Sequence, residues 1–271
     1  MANVLGYLEE SFRRVPERCA VTDDRVSYSY AEFYHLTRRL GSALAERVGQ
    51  RQGVGIYMEK NTDAVAAFFG VQWAGGFYSV LNTELPGGRL QQIVAQLDPP
   101  VIVTSRENLP RAREIFPEEK LCCFEDLALH TEDARRLEKI QARAIDTDPL
   151  YVNFTSGSTG VPKGIVVSSR SVLDFIGCFT ELFGITQNDV IANQAPFDFD
   201  VSVKDIYSAM KAGATLAVVP RRLFSVPTQL IDFLCEKKAT TLIWAVSALC
   251  LITGFHALDY KTPETVEKIL F

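Results

Sequence analysis

Metal ligands are scarce in this sequence, and they are not grouped. The 271 residues include three isolated histidines and six cysteines, none of them in a Cys-x-x-Cys pair. Closely spaced His and Cys residues are typical of zinc and redox sites, so the sequence predicts no metal site. Most of the cysteines stand in apolar runs, for example Cys235 after Phe233-Leu234. We therefore expect buried free thiols in a reducing compartment.

Long apolar runs and runs of basic residues are also missing. No stretch approaches the roughly 20 apolar residues that cross a bilayer. The N-terminal segment MANVLGYLEESFRR contains acidic residues and no long apolar core, unlike a signal peptide. The net charge is −5 at pH 7, which makes nucleic acid a poor candidate partner. The sequence predicts a cytoplasmic globular protein with no membrane insertion.

The sequence does contain a regular alternation of strand and helix patterns. Apolar runs predict strands at residues 52–58 and 77–81, and the apolar helix between them is capped by Asn61-Thr62-Asp63. The alternation resumes after Gly164. This spacing is typical of an α/β fold with mostly parallel sheets and helices on both faces. Residues 132–148 are polar, and we expect them to form a surface connection.

The stretch YVNFTSGSTGVPKG, at residues 151–164, consists largely of small and hydroxylated residues. Small residues let the backbone turn tightly, and successive N–H groups in a turn form a concave anion site. Lys163 adds a positive charge. The stretch therefore predicts a polyphosphate-binding loop. A flexible linker is the alternative, but a linker needs neither a lysine behind a proline nor strands on both sides.

The best-known phosphate loop, G-x-x-x-x-G-K-[ST], does not fit this stretch. Pro162 stands where its second glycine belongs, and Gly164 follows Lys163. The order of residues instead resembles the signature loop of the adenylate-forming superfamily, which includes acyl-CoA synthetases, luciferases and peptide synthetase adenylation domains. The resemblance implies that Lys163 is catalytic. It also implies that the ATP phosphates are bound by Thr155, Ser156, Gly157, Ser158, Thr159, Gly160 and Lys163.

Three further stretches resemble motifs of the amino-acid-activating branch of this superfamily. They are VSYSYAEF at 26–33, WAGGFYSVL at 73–81 with Pro86 and Arg89 after it, and FDFDVSV at 197–203. Asn82 departs from the Asp that is usual in the second motif, which affects only that match. The third stretch, continued by KDIY, is most similar to D-alanine–carrier-protein ligases.

Asp200 is the informative residue of the third stretch. In the branch that it resembles, this carboxylate accepts hydrogen bonds from the substrate's α-ammonium group, and Val201 and Lys204 line the side-chain pocket. An ammonium is a matched partner for a carboxylate that is costly to bury alone. Alternatives remain open: Asp200 as the N-cap of a helix at Ser202, Asp198 as the anchor instead, and Lys204 as an exposed helix lysine.

Two aromatic residues near this stretch, Phe199 and Trp244, are interpreted as core residues. The resemblance covers nearly the whole chain. It implies that residues 1–271 are an N-terminal part of the large adenylation domain, with one α/β part at 1–147 and a second at 148–271 that starts with the phosphate loop. The family's adenine, ribose and Mg²⁺ ligands and its small lid domain would lie beyond Phe271. We therefore expect a truncated fragment.

The implied function is activation of an amino acid. ATP, with Mg²⁺, would convert it to aminoacyl-AMP with release of pyrophosphate, and the acyl group would pass to the phosphopantetheine thiol of a carrier protein. Two alternatives stay open. An acyl- or aryl-CoA synthetase fragment would have the same loop but no need for Asp200. A remnant of the fold would be non-catalytic and would bind nucleotide or be purely structural.

Overall fold

The computed structural model describes residues 2–156 and 160–271, in two compact units that are interleaved in sequence. The first unit comprises Met1–Gly6, Tyr34–Glu59 and Asp63–Asp174. The second comprises Tyr7–Phe33, Lys60–Thr62 and Phe175–Phe271. Among the described residues, each unit contains one six-stranded sheet.

The strands are, in chain order, β1 (Cys19–Thr22), β2 (Ser27–Ser29), β3 (Gly53–Tyr57), β4 (Phe77–Val80), β5 (Ile102–Thr104), β6 (Leu121–Cys123), β7 (Pro149–Ser156), β8 (Pro162–Ser168), β9 (Val190–Asn193), β10 (Thr215–Val218), β11 (Thr241–Ile243) and β12 (Lys268–Leu270). Short 3-10 turns occur at Glu118–Lys120 and Arg221–Ser225.

The helices are α1 (Leu5–Arg14), α2 (Tyr30–Leu44), α3 (Thr62–Trp73), α4 (Gly87–Leu97), α5 (Leu109–Ile115), α6 (Phe124–Ala128), α7 (Ala134–Gln141), α8 (Ser169–Leu182), α9 (Ser202–Ala212), α10 (Pro227–Glu236), α11 (Val246–Gly254) and α12 (Ala257–Tyr260). None of the helices among the described residues is long and apolar enough to cross a membrane.

The sheet of the first unit has the strand order β6-β5-β3-β4-β7-β8. Its pairs are parallel apart from β7 and β8, which form an antiparallel hairpin at one edge. Every residue of β3 is buried, as expected for a central parallel strand that is covered on both faces. A core of seven buried residues packs around this part of the sheet: Tyr57, Leu81, Leu90, Ile93, Ile102, Ala112 and Phe116.

The sheet of the second unit has the strand order β12-β11-β9-β10-β1-β2. Only the β1–β2 hairpin is antiparallel among its described pairs. Asn193 lies beside Val218 in the β9–β10 register, so these two parallel strands end together. Ligand sites of open α/β sheets occur outside the carboxyl ends of the strands. That edge of the sheet is therefore a candidate position for a ligand.

The predicted fold class is confirmed, because both sheets are mostly parallel and are flanked by helices. The predicted division into 1–147 and 148–271 stays a prediction. In the structure, β7 and β8 lie in the sheet of the first unit, because β7 pairs with β4.

The expected surface connection at 132–148 is exposed or partly exposed apart from Leu137, and it contains α7, whose N-cap Asp133 accepts a hydrogen bond from Arg136 N–H. One local expectation was wrong. The six cysteines are free, as expected, but none of them is buried: Cys178 and Cys250 are exposed, and the other four are partly exposed. An apolar run in sequence does not ensure burial when it forms a helix, because successive helical residues point to different faces.

Candidate functional site

The β7–β8 hairpin carries the predicted phosphate-binding residues of the first unit. Thr155 of β7 lies directly opposite Lys163 of β8, and Ser156 lies opposite Pro162. Thr155, Gly160 and Lys163 are exposed. Gly157, Ser158 and Thr159, and the side chain of Ser156, lie outside the described part of the structure. The register therefore brings a hydroxyl residue and the predicted catalytic lysine to neighbouring positions on the hairpin.

Two features of this hairpin suit an anionic ligand. Gly160 has a φ of +78°, a left-handed conformation that glycine adopts without steric cost. The Lys163 ammonium forms no hydrogen bond or ion pair with residues 2–156 or 160–271, so its charge is available to a ligand. A lysine ammonium provides three N–H donors and a full positive charge.

Arg89, on α4, contacts both sides of the connection between the two strands. Its Nη2 lies 3.4 Å from the Thr155 carbonyl oxygen, and its Nη1 lies 3.2 Å from the Gly160 carbonyl oxygen. Both hydrogen bonds are long, and Arg89 is partly exposed. Sequence reasoning noted Arg89 in a motif but gave it no role. The signal that could have identified it is a lone arginine in a motif that otherwise consists of core and turn residues.

Segment 194–201, which joins β9 to α9 in the second unit, carries Asp200. The segment is a series of turns, in which Phe199 N–H donates to the Pro196 carbonyl and Val203 N–H donates to the Asp200 carbonyl. The Asp200 side chain is exposed. Its carboxylate has no hydrogen bond or ion pair within the described residues.

The alternative of Asp200 as a helix cap is wrong. Helix α9 has Val201 as its N-cap residue, and no side chain caps it. The hydroxyl near this end belongs to Ser202, which donates to the Phe199 carbonyl at 2.8 Å. Asp200 therefore has no capping role that would account for a carboxylate at this position.

The neighbours of Asp200 are also accessible. Val201 is 43% exposed and Phe199 is 58% exposed, so the interpretation of Phe199 as a core residue was wrong. It lies in the turn that precedes α9, whereas Phe197 fills the buried position. Lys204 is partly exposed, and its ammonium forms no hydrogen bond or ion pair within the described part of the chain. Trp244 is buried as expected, and its indole N–H donates to the Ala192 carbonyl.

A buried polar network lies at the carboxyl ends of β9 and β10, and sequence reasoning missed it. Lys60 Nζ donates to the carbonyls of Asn193, Gln194 and Val219 at 2.8, 3.0 and 3.1 Å. Asn193 Nδ2 in turn donates to Asp205 Oδ2 at 2.6 Å. We refer to the side chains of Lys60, Asn193 and Asp205 as the Lys60 network.

The electrostatics of the Lys60 network are those of enclosed charges. Burial raises the pKa of Asp205 to about 7, against the lowering effects of the Asn193 hydrogen bond and the charges of Lys60 and Lys204. Burial lowers the pKa of Lys60 to about 7, although the Asp205 charge opposes this shift. Lys60 is partly exposed as a whole residue, but its ammonium end is enclosed.

Two oxygens of the network have no partner in the described structure, Asn193 Oδ1 and Asp205 Oδ1. A buried acceptor without a hydrogen bond costs free energy, and the cost is larger when the group is charged. Because Asp205 Oδ1 is such an acceptor, its burial disfavours the ionised carboxylate. A proton on Asp205 would convert one acceptor into a donor. The unpaired Asp205 oxygen is thus the structural counterpart of the burial that raises the pKa of Asp205.

The described residues include no group of three or more His, Cys, Asp or Glu side chains that could hold a metal ion. The residues predicted to bind ATP and substrate form two groups. One is the hairpin residues of the first unit, and the other is Asp200, Val201 and Lys204 of the second unit.

Comparisons with known proteins agree on the family. Residues 8–267 match the family described as AMP-binding enzyme. Syringomycin synthase SyrB1 of Pseudomonas syringae pv. syringae is 32% identical over 265 residues, which cover 94% of this chain and 40% of the relative. D-alanine–D-alanyl carrier protein ligase of Lacticaseibacillus casei (strain BL23) is 27% identical over 82% of this chain and 43% of the relative.

A solved structure supports the fold. The AMPPNP-bound form of the nonribosomal peptide synthetase FmoA3 superposes with a TM-score of 0.81 at 24% sequence identity, over 94% of this chain and 26% of that chain. The present chain thus spans less than half the length of these three matched proteins.

Proposed function

The chain belongs to the family of AMP-binding, adenylate-forming enzymes, and from this premise we propose that it activates an amino acid. An oxygen of the substrate carboxylate attacks the α-phosphorus of ATP. The bond from that phosphorus to the β-phosphate oxygen breaks, so the products are aminoacyl-AMP and pyrophosphate. In a second step a thiolate attacks the acyl carbon and AMP leaves. The acceptor that we propose is the phosphopantetheine thiol of a carrier protein.

The observation that carries the amino-acid assignment is the state of Asp200. Its carboxylate is exposed, has no partner among the described residues and does not cap α9. An α-ammonium group would supply charge-assisted hydrogen bonds to this carboxylate. A substrate without an amino group would leave it unused. Val201 and Lys204 are proposed to contact the substrate side chain, because both are accessible and follow Asp200 directly.

The β7–β8 hairpin is proposed to hold the phosphates of ATP. Its chemistry is that of positioning and charge neutralisation, which supply most of the catalysis in phosphoryl and nucleotidyl chemistry. Lys163 would neutralise charge that develops on the leaving pyrophosphate. Thr155 and the hydroxyl residues of the connection would donate to phosphate oxygens. Mg²⁺ is an expected companion of ATP, but the described residues offer it no three-ligand group, and no step is assigned to it.

The relatives support the same assignment at a coarser level. A D-alanine–D-alanyl carrier protein ligase and a syringomycin synthase are among them. The name of the ligase refers to D-alanine and a carrier protein, and the name of the synthase refers to syringomycin. For the present chain, an amino acid substrate and a carrier-protein acceptor are parts of our proposal.

The experiment that tests the proposal is amino-acid-dependent ATP–pyrophosphate exchange. It should be run with a panel of D- and L-amino acids, on the 271 residues and on the full product of the gene. Exchange that depends on one amino acid, or on a few similar ones, would support the proposal and identify the substrate. Exchange that depends only on another carboxylic acid would favour an acyl- or aryl-CoA synthetase. No exchange with any acid would contradict the enzymatic proposal.

A further inference from the structure

The Lys60 network occupies the edge of the sheet from which segment 194–201 departs. The three carbonyls bound by Lys60 belong to the last residue of β9, the residue after it and the residue after β10. A lysine ammonium has three N–H donors, so Lys60 is fully used by the backbone. It holds two neighbouring strands at the point where both leave the sheet.

The network also reaches the other end of the segment. Asp205 lies in the first turns of α9 and accepts a hydrogen bond from the Asn193 side chain at 2.6 Å. Asn193 is itself held through its carbonyl by Lys60. The strand that precedes segment 194–201 and the helix that follows it are therefore joined through one buried asparagine.

A third contact lies within the segment. The Lys60 ammonium lies 5.7 Å from the centroid of the Phe197 ring, which is within the range of a cation–π interaction. Phe197 is buried, whereas Phe199 and Asp200 are exposed. The segment is thus anchored at its start, in its middle and at its end, and only the part around Asp200 faces outward.

We propose that Lys60, Asn193 and Asp205 are positioning residues that fix the backbone around Asp200 and so determine how well this carboxylate binds the substrate ammonium. The inference rests on the proposed function, in which Asp200 receives that ammonium. To that function it adds a structural support for Asp200. The support is Lys60, which lies 133 residues from Asn193 in sequence and binds its carbonyl at the end of β9.

Geometry of this kind has a large effect on catalysis. Because binding depends on precise orientation, a displacement of about 1 Å remote from the reacting atoms can cost about 100-fold in rate. A purely stabilising network would behave differently. Its loss would lower the free energy of unfolding without a selective effect on one of the two substrates.

The test compares Lys60→Met with a matched control, Lys211→Met, in amino-acid-dependent exchange by the full gene product. Lys211 also binds a carbonyl and a side chain in the second unit, Gly177 O at 3.0 Å and Thr180 Oγ1 at 2.6 Å. For Lys60→Met we expect the amino acid KM to rise about tenfold or more, and the ATP KM to change by less than about twofold. For Lys211→Met we expect neither value to change.

Two conservative variants protect the test against simple misfolding. Lys60→Arg retains the positive charge, but its planar fork does not match three converging carbonyls as an ammonium does, so the amino acid KM should rise less than in Lys60→Met without returning fully to the original value. Asp205→Asn retains an acceptor for Asn193 and removes the charge, so it too should raise the amino acid KM less than Lys60→Met does. Hydrogen exchange of the Phe199, Ser202 and Val203 amides, measured without substrate, should accelerate in Lys60→Met and stay unchanged in Lys211→Met.

The possible failures are distinguishable by including Asp200→Asn. If Asp200→Asn raises the amino acid KM while Lys60→Met changes stability alone, the positioning role is overturned and the proposed function stands. If Lys60→Met raises both KM values equally, the role is likewise overturned. If no amino acid supports exchange, or Asp200→Asn has no effect, the proposed function and this inference fall together.

Discussion

The β7–β8 hairpin and segment 194–201 are supported in different ways. The hairpin is held by backbone pairing between two strands, and its candidate side chains, Thr155 and Lys163, are exposed. Segment 194–201 has little regular structure, but a buried network of charged and polar side chains anchors it. A phosphate loop that works mainly through backbone N–H groups needs a rigid main chain. A single carboxylate that must meet an ammonium needs its position fixed by side chains.

This difference predicts the ranking of substitutions in the two regions. In the proposed function, segment 194–201 would act through one carboxylate and the few residues that hold it. The hairpin would share its role among several donors, so the loss of a single side chain there should be partly compensated. The reverse order of effects would contradict this contrast between the two regions.

The largest effect is expected for Asp200→Ala. Hydrogen bonds to charged groups contribute about 1.5–3 kcal/mol each, so we expect kcat/KM for the amino acid to fall about 100-fold. The measurement is exchange at saturating ATP with varied amino acid. Asp198→Ala is the comparison, because Asp198 is the competing anchor in sequence. A larger loss for Asp198→Ala than for Asp200→Ala would show that the register of the anchor was misassigned.

The second effect concerns Lys163 of the hairpin. Removal of one charge-assisted contact in Lys163→Ala should lower kcat/KM for ATP about 30-fold, with a smaller change in the amino acid KM. Lys163→Arg is the control, since it retains the charge and should recover part of the loss. Full activity of Lys163→Ala in the gene product would remove this lysine from the mechanism.

The third effect is a pH dependence of stability that arises from Asp205. Burial raises its pKa to about 7 from an ordinary value of 3.8. Between these values the folded protein holds a proton that the unfolded chain has released. The contribution of Asp205 to the free energy of unfolding therefore falls as the pH rises from about 4 to 7, by at most about 1.4 kcal/mol per pH unit.

Asp205→Asn should abolish this fall. Denaturant unfolding at pH 5, 6 and 7 measures it, with Asp232→Asn as the control, since Asp232 is a half-exposed carboxylate that pairs with Lys261. The lowered pKa of Lys60 affects the free energy of unfolding in a different pH range. Above about pH 7 the folded protein has released the Lys60 proton, whereas the unfolded chain still holds it. Parallel pH curves for the original protein and Asp205→Asn would show that Asp205 is ionised throughout the range.

The sequence was sufficient for the elements whose signals are local. It predicted strands at 52–58 and 77–81, and the structure has β3 at Gly53–Tyr57 and β4 at Phe77–Val80. It also predicted the apolar helix between them, which is α3 (Thr62–Trp73). In each case the period of apolar residues, the caps and the turn residues lie within a few positions of one another.

The Lys60 network could not be predicted in this way. A single lysine before a helix looks like a solvent-exposed charge, and its three acceptors are backbone carbonyls, which have no residue-type signal. Lys60 is 133 residues from Asn193 and 159 from Val219 in sequence. The order of strands in the sheet brings them together, and that order is a property of the whole unit. The exposure of Phe199 was missed for a related reason, since a turn reverses the alternation of buried and exposed positions.

The smallest effect is expected for Arg89, which had no assigned role in the sequence. Its guanidinium bridges the Thr155 and Gly160 carbonyls, at 3.4 and 3.2 Å, across the connection between β7 and β8. Long hydrogen bonds on a partly exposed side chain contribute less than about 1 kcal/mol, so Arg89→Ala should raise the ATP KM by only about threefold. Arg113→Ala is the control, because Arg113 is an exposed arginine of the same unit that pairs with Glu118 instead of the hairpin. If Arg89→Ala instead exceeded Asp200→Ala in its effect on exchange, the hairpin would depend on side-chain support as strongly as segment 194–201 does, and the contrast between the two regions would fail.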